Sequence, residues 1–236
     1  MIQFYSPDIA ETLTLPESDS HHAVKVLRMR EGDALQVIDG HGHLYTCRLT
    51  EAHAKHAAVQ ITECREQPLP WGQRLTVAVA PTKHLDRMEW LVEKLTEIGV
   101  NRIVPILCER SERRELKAER LRKIAVSAMK QSLKAWLPEV DELTPVRRVV
   151  ETLHAPQRFV GYCDDSVERH DLASVYRPAT DTVIFIGPEG DFSPTEIALL
   201  IDSGVAPVTF GDNRLRTETA ALYAITACHV LDSASR

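Results

Sequence analysis

The chain has 236 residues, 44% of them hydrophobic and 26% charged, with a formal net charge of −6. This suits one large or two modest soluble domains, each able to bury a core. It excludes a membrane-spanning helix, because no apolar run approaches ~20 residues, and an overall basic footprint of the kind that nucleic-acid binders leave.

Five scattered cysteines (47, 64, 108, 163, 228) form no C-x-x-C pair, which argues against a disulfide framework and a cysteine zinc site. The start, Met1-Ile-Gln-Phe-Tyr-Ser-Pro-Asp8, has neither a basic opening nor an apolar h-region. A cytoplasmic location with no membrane partner is therefore expected.

In chain order, residues 1 to about 66 read as β-rich. Ala34-Leu-Gln-Val-Ile-Asp39 and Leu44 to Thr50 are strand-like, joined by turn chemistry in Asp39-Gly-His-Gly-His43, and Ala57 to Cys64 is a third strand candidate. Asp19 to Arg28 reads as a helix capped by Asp19 or Ser20. Gln67-Pro-Leu-Pro-Trp-Gly-Gln73 then breaks the pattern as a linker.

Beyond it strands alternate with helices. Leu75 to Ala80 is a continuous apolar strand of the buried parallel kind. Asp86 and Glu89 resemble a capping box for a helix whose face carries Met88, Leu91, Val92, Leu95 and Ile98 and which stops at Gly99. Arg102 to Leu107 is a strand whose Pro105 belongs at an edge or end. A helix from about Ala118 to Ser132 follows, then strands near 158–162, 182–186 and 207–210. The last helix, about Glu218 to Leu231, turns Leu222, Ile225 and Leu231 to a core. The alternation implies an α/β fold, a mostly parallel sheet with helices on both faces.

Two turns stand at strand ends, where open α/β sheets bind ligands. In Gly187-Pro-Glu-Gly-Asp-Phe-Ser193 the glycines permit positive φ and close ligand approach. Ser193-Pro-Thr-Glu196 is a capping box with proline at N1. Glu189 either accepts hydrogen bonds from a ligand or folds onto local amides. The turn lacks the Gly-Lys-Ser/Thr of a phosphate loop and the dinucleotide fingerprint.

In Phe210-Gly-Asp-Asn-Arg-Leu-Arg-Thr-Glu-Thr-Ala220, Thr217 is the expected N-cap and Glu218 suits the positive helix end. Arg214 and Arg216 oppose that dipole, so they serve either an anion or an ion pair with Glu189 or Asp191.

Between Arg110 and Lys134, nine basic residues face three acids. That is either a phosphate-binding face or a solvated, salt-bridged helix. Six of the ten histidines (21, 22, 41, 43, 53, 56) lie in the first region. Their spacing specifies no metal site, and the turn leaves His41 and His43 exposed.

Over nearly its whole length the sequence resembles the bacterial 16S ribosomal RNA uridine-N3 methyltransferases of the SPOUT superfamily. The resemblance rests on the two turns, on Lys83 with Arg87 to Val100, on Pro105 with Arg110-Ser111, and on His21-His22, Val26 to Arg30, Gly32-Asp33 and Asp39-Gly40. Departures are Phe210 for leucine, Asp191 for glycine, and Lys130 and Lys134 for glutamate and arginine.

The resemblance implies a PUA-like RNA-binding β-barrel over 1–68 and a trefoil-knotted methyltransferase domain over 74–236, assembled as a homodimer. S-adenosyl-L-methionine would lie between Gly187, Pro188, Glu189 and Gly190 on one side and Phe210, Gly211, Leu215 and Arg216 on the other, with no metal. The partner implied is 16S rRNA, in the small ribosomal subunit, gripped by Lys25, Arg28, Arg30, Lys83, Arg110 and Arg113.

For methylation at N3, Arg216 would stabilise the uracil anion, while Glu218 or Glu189 orients the base or accepts its proton. N3 lies on the Watson–Crick edge, so the target base should be unpaired or flipped out. Two other classes compete. One is a non-catalytic RNA-binding ribosome-assembly factor of the same fold. The other is an unrelated α/β enzyme that binds a small anion at Arg214 and Arg216.

Overall fold

The computed structural model describes residues 2–69, 71–164 and 166–235; Pro70 of the expected linker lies outside the described residues, as do the terminal residues of both expected domains. The chain divides into two compact units. The first takes the residues up to Leu69 together with Val126–Leu137, and the second takes the residues before Val126 and from Pro138 onward.

The first unit is a small β-sheet domain. It holds β1 (Gln3–Tyr5), α1 (Ile9–Thr12), α2 (Glu17–His21), a π-helical turn (His22–Val26), β2 (Ala34–Ile38), β3 (His43–Glu51) and β4 (Ala58–Glu66). The sheet order is β1-β2-β3-β4, with β1 parallel to β2 and the other pairs antiparallel. Alternate residues of β2 and β3, among them Leu35, Val37, Cys47 and Leu49, face a core with Phe4, Ile9, Leu15 and Val59.

The expected cap at Asp19 or Ser20 is corrected. The helix starts two residues earlier, behind Pro16, and both residues are buried within it. Asp19 accepts from the Tyr5 amide at 2.7 Å and the Lys130 ammonium at 2.6 Å. The Ser20 hydroxyl donates to Leu15 O and accepts from Ala57 N, both at 2.9 Å. Long-range partners thus replaced the local cap. His41 is exposed as expected, whereas His43 is half-buried with Nδ1 2.7 Å from Asp39.

Residues 126–137 complete this unit. Gly42 takes φ +100°, and a Cβ there would fall 2.5 Å from the Trp136 ring. The Trp136 indole donates to Gln67 O at 2.7 Å, and Leu137 N donates to Gly40 O at 2.9 Å.

The second unit is an α/β domain. Its elements are β5 (Leu75–Val79), α3 (Leu85–Ile98), β6 (Arg102–Leu107), α4 (Ala118–Gln131, whose end belongs to the first unit), β7 (Glu139–Val140), β8 (Thr144–Pro145), α5 (Val146–Thr152), β9 (Gln157–Gly161), β10 (His170–Asp171), α6 (Leu172–Val175), β11 (Thr182–Ile186), α7 (Pro194–Asp202), β12 (Ala206–Thr209) and α8 (Thr217–Ala234). The order β10-β12-β9-β11-β5-β6-β7, with β8 also on β6, is parallel at every pairing. Helices flank the sheet. Every residue of β5 and β11 is buried, which explains their uninterrupted apolar sequences.

Three expectations change here. Pro105 lies inside the sheet, paired with Val79 of β5. On its other side β7 pairs only 102–103 and β8 only 106–107, so the missing N–H falls in a gap between partners. Asp86 is no cap: His84 is the N-cap residue and its side chain accepts no cap hydrogen bond, and Glu89 pairs with Arg120 instead. On α8 Ile225 is fully buried, while Leu222 and Leu231 are only half-buried. Gly99 ends α3 with φ +115°, as its sequence position indicates.

Candidate functional site

Because the strands run parallel, their carboxyl ends share one sheet edge, and the loops leaving β5, β6, β9, β11 and β12 gather there. Ala80 N donates to Ile186 O at 3.0 Å, bringing the β5 and β11 exits together. Beyond Ile186 the chain turns tightly, with Asp191 N donating to Pro188 O at 2.8 Å. The expectation of positive φ at Gly187 and Gly190 is corrected, since the left-handed residue of this turn is Asp191, at φ +62°. The glycines answer crowding instead. A Cβ on Gly187 would lie 3.1 Å from the Phe192 ring and 3.2 Å from its amide, and one on Gly190 would lie 3.3 Å from Arg110 Cβ.

The 187–193 loop is braced from three directions. Lys83 N donates to Glu189 Oε1 at 2.9 Å. Arg110 Nη1 donates to Gly190 O at 3.0 Å and Phe192 O at 3.3 Å. Cys163 N donates to Asp191 Oδ2 at 3.1 Å, and Phe192 N to its Oδ1 at 2.8 Å. Burial, and then the charge of Asp191, raise the Cys163 thiol above its ordinary value. Phe192 is fully buried beneath the loop; emptying such a site costs about 3–5 kcal/mol. The box that starts α7 is complete, with Glu196 N donating to Ser193 Oγ and Ser193 N to Glu196 Oε2.

Arg113 braces the β5 exit, donating to Thr82 O at 3.2 Å and Lys83 O at 2.7 Å. Lys83 Nζ pairs with Glu112 at 2.8 Å on the surface. Two expected RNA contacts, Arg110 and Arg113, therefore also hold the loops in place.

The 210–216 loop has few internal ties. The Thr209 hydroxyl donates to Gly211 O at 2.9 Å. Gly211 takes φ +96°, and among the described residues nothing beyond its chain neighbours lies within 4 Å of where its Cβ would be. Phe210 covers Gly161, where a Cβ would sit 2.6 Å from its ring, and lies 5.8 Å from the Tyr223 ring. Leu215 is half-buried, and residues 211–214 are exposed.

The N-cap position of α8 belongs to Arg216, not Thr217. Thr217, the first helical residue, is buried and donates its hydroxyl to Gly187 O at 3.0 Å. One hydrogen bond therefore joins the two turns. A tertiary partner outcompeted the local cap, so sequence alone gave no sign of it.

Arg216 is exposed, and its guanidinium has no hydrogen-bond or ion-pair partner among the described residues. The ion pair from Arg214 or Arg216 to Glu189 or Asp191 is absent among them. Glu218 is 7% exposed, with Oε1 3.6 Å from Arg87 of α3 and Oε2 unpartnered. Sequence reading missed Arg87 in this role, as it missed the bridging carboxylate of Asp191. In the first unit Lys25, Arg28 and Arg30 are all exposed on or just after the π-helical turn. Among the described residues no cluster of histidine, cysteine and carboxylate side chains could hold a metal ion, and no helix is long and apolar enough to cross a membrane.

Known proteins match this arrangement. Residues 69–229 fit the model of the RNA methyltransferase domain family, and residues 15–62 that of the RNA methyltransferase PUA domain. Ribosomal RNA small subunit methyltransferase E of Synechocystis is 30% identical, over 94% of this chain and 74% of its own length. The crystal structure of an rRNA-methyltransferase-like protein from Porphyromonas gingivalis is 44% identical, covers all of both chains and superposes with a TM-score of 0.95. That of the Neisseria gonorrhoeae small subunit methyltransferase E, bound to S-adenosyl methionine, is 28% identical over 98% of both chains, with a TM-score of 0.85. By the domain model that spans most of its length, and by these relatives, the chain belongs to the RNA methyltransferase family.

Proposed function

We propose that this protein transfers a methyl group from S-adenosyl-L-methionine to N3 of a specific uridine in the 16S RNA of the small ribosomal subunit. The observation that carries the reading is the Thr217–Gly187 hydrogen bond, which joins the braced and open turns, in this reading the two walls of the cofactor crevice. The small-subunit methyltransferase among its relatives supports the substrate, and the cofactor bound by the Neisseria protein supports the donor.

The residues fit such a group. Gly187, Pro188, Glu189 and Gly190 form one wall, and Phe210, Gly211, Leu215 and Arg216 the other. The space beside Gly211 leaves room for the ligand. Bound there, S-adenosyl-L-methionine supplies an electrophilic methyl group.

The N3 proton of uracil is weakly acidic, and its loss makes the better nucleophile. Glu189 takes that proton on Oε2, the oxygen not engaged by Lys83. Arg216 stabilises the negative charge that develops on the uracil oxygens. Glu218, paired with Arg87, orients the start of α8 and with it Arg216. With the N3 proton on Glu189, the N3–carbon bond would form as the methyl–sulfur bond breaks to leave a neutral thioether, and alignment supplies the rest of the acceleration.

Lys25, Arg28 and Arg30 of a PUA-like barrel over 1–68, with Lys83, Arg110 and Arg113 of a knotted domain over 74–236, contact the RNA backbone. The protein acts as a cytoplasmic homodimer. The test incubates it with methyl-labelled S-adenosyl-L-methionine and small subunits or naked RNA, then maps reverse-transcription stops. Label in RNA with a stop at a uridine is expected. No label, or label without such a stop, refutes the reading.

A further inference from the structure

Behind the 187–193 loop, on the α7 side, lies a second cleft of about 330 Å³, within the ~300–1,000 Å³ range of small-ligand sites. Its apolar lining comes from Leu107 at the end of β6, Pro145 and Val146 at the β8–α5 junction, and Leu199 of α7. Arg114, from the loop after β6, and Arg147, on α5, supply its positive charge. Both are exposed, and neither guanidinium has a hydrogen-bond or ion-pair partner among the described residues. Elsewhere in this unit Arg102, Arg110, Arg113, Arg120, Arg122 and Arg158 are committed to carboxylates or backbone carbonyls, while Arg74, Arg148, Arg214 and Arg216 are also without such a partner among the described residues but line no such cleft.

Two acids also line the cleft. Glu196 is spent, accepting from Glu109 N at 2.8 Å and Ser193 N at 2.9 Å. Glu109 is exposed at the rim. Two free guanidiniums in a cleft with an apolar lining suit a group with a flat apolar face and an anionic link beside it. A nucleotide of single-stranded RNA has both, since its base stacks on apolar surface or a guanidinium and its phosphate pairs with arginine.

We infer that this cleft holds a nucleotide of the RNA substrate other than the methylated one, with its base on the apolar lining and its flanking phosphates on Arg114 and Arg147. The inference rests on the methyltransferase reading above and adds an RNA contact that the two turns do not provide. The cleft is coupled to them through the backbone. Glu109 and Arg110 are consecutive, the first bonded to Glu196 and the second to Gly190. A nucleotide seated here therefore docks RNA directly behind the braced turn.

The test compares the full-length protein with R114A/R147A and with R148A, which removes the same charge from an exposed position outside the cleft. The double variant is expected to raise KM for the RNA substrate about tenfold or more, leaving kcat and S-adenosyl-L-methionine affinity unchanged. It should also flatten the log–log salt dependence of RNA binding by about 1.4, at roughly 0.7 per lost single-strand phosphate contact. R148A should leave KM unchanged. Equal KM and salt slope for the double variant and the parent overturn the inference, as does an equal effect of R148A. Uridine monophosphate probes a free-nucleotide source: protection of the cleft by it, with RNA KM unmoved in the double variant, also overturns the inference. A parent that methylates no RNA defeats the underlying reading instead.

Discussion

The turns at 187–193 and 210–216 leave the same sheet edge and carry similar residue types, but they are held in opposite ways. The amides of Lys83 and Cys163 and the guanidinium of Arg110, from three other segments, fix the first through its own carboxylates and a carbonyl. The second presents a run of exposed residues and a glycine with open space around it. Fixed donors and acceptors stabilise charge without reorganising during reaction, whereas a sparsely tied loop closes on its ligand at lower local cost. The difference suggests that the first turn serves as a template and the second as the movable wall.

Four substitutions would break or sharpen this contrast. The largest effect is expected from R216A, which removes one of the two unpartnered guanidiniums of the open turn. It should lower kcat about 10²–10³-fold while S-adenosyl-L-methionine binding stays measurable by calorimetry; unchanged turnover would remove Arg216 from catalysis. Next is E189Q, which still accepts from Lys83 N but cannot take a proton. A loss of about 10²-fold in kcat with an unchanged melting temperature would separate proton transfer from bracing. Full activity would make Glu189 a brace alone.

T217V removes the bond between the turns and leaves the buried Gly187 carbonyl unpaired, at about 1–3 kcal/mol of stability. Its cofactor KM should rise more than its kcat falls, because the walls lose their register. The smallest effect is expected from D191G, which keeps a residue that tolerates φ +62° but unties Cys163. It should cost about 1 kcal/mol. It should also speed alkylation of Cys163, since losing a nearby negative charge brings the thiol back towards its ordinary range.

What was legible in the sequence follows how far each signal reaches along the chain. The Ser193–Glu196 box and the Gly99 stop are complete within four residues, and both stand as expected. The buried strands β5 and β11 announced themselves by unbroken apolar runs. Misreadings cluster where a polar side chain with good local credentials found a distant partner. Asp19 went to Tyr5 and Lys130, Thr217 to Gly187, and Glu89 to Arg120. The glycines of the first turn are expected to serve positive φ and close ligand approach; neither takes positive φ, and crowding by Phe192 and Arg110 is what excludes a side chain there. No local pattern could supply that neighbour list.

The return of Val126–Leu137 to the first unit has a consequence for synthesis. Trp136 covers Gly42 and bonds Gln67, and Lys130 neutralises the buried carboxylate of Asp19. Chain elongation runs at about 5–20 residues per second, so roughly 3–14 seconds separate the emergence of Leu69 from that of Leu137. During that interval Asp19 is an uncompensated charge and the glycine hairpin lacks its cover. The amino-terminal unit is the first to be translated, yet it reaches its final form only after β5, α3 and β6 have left the exit tunnel.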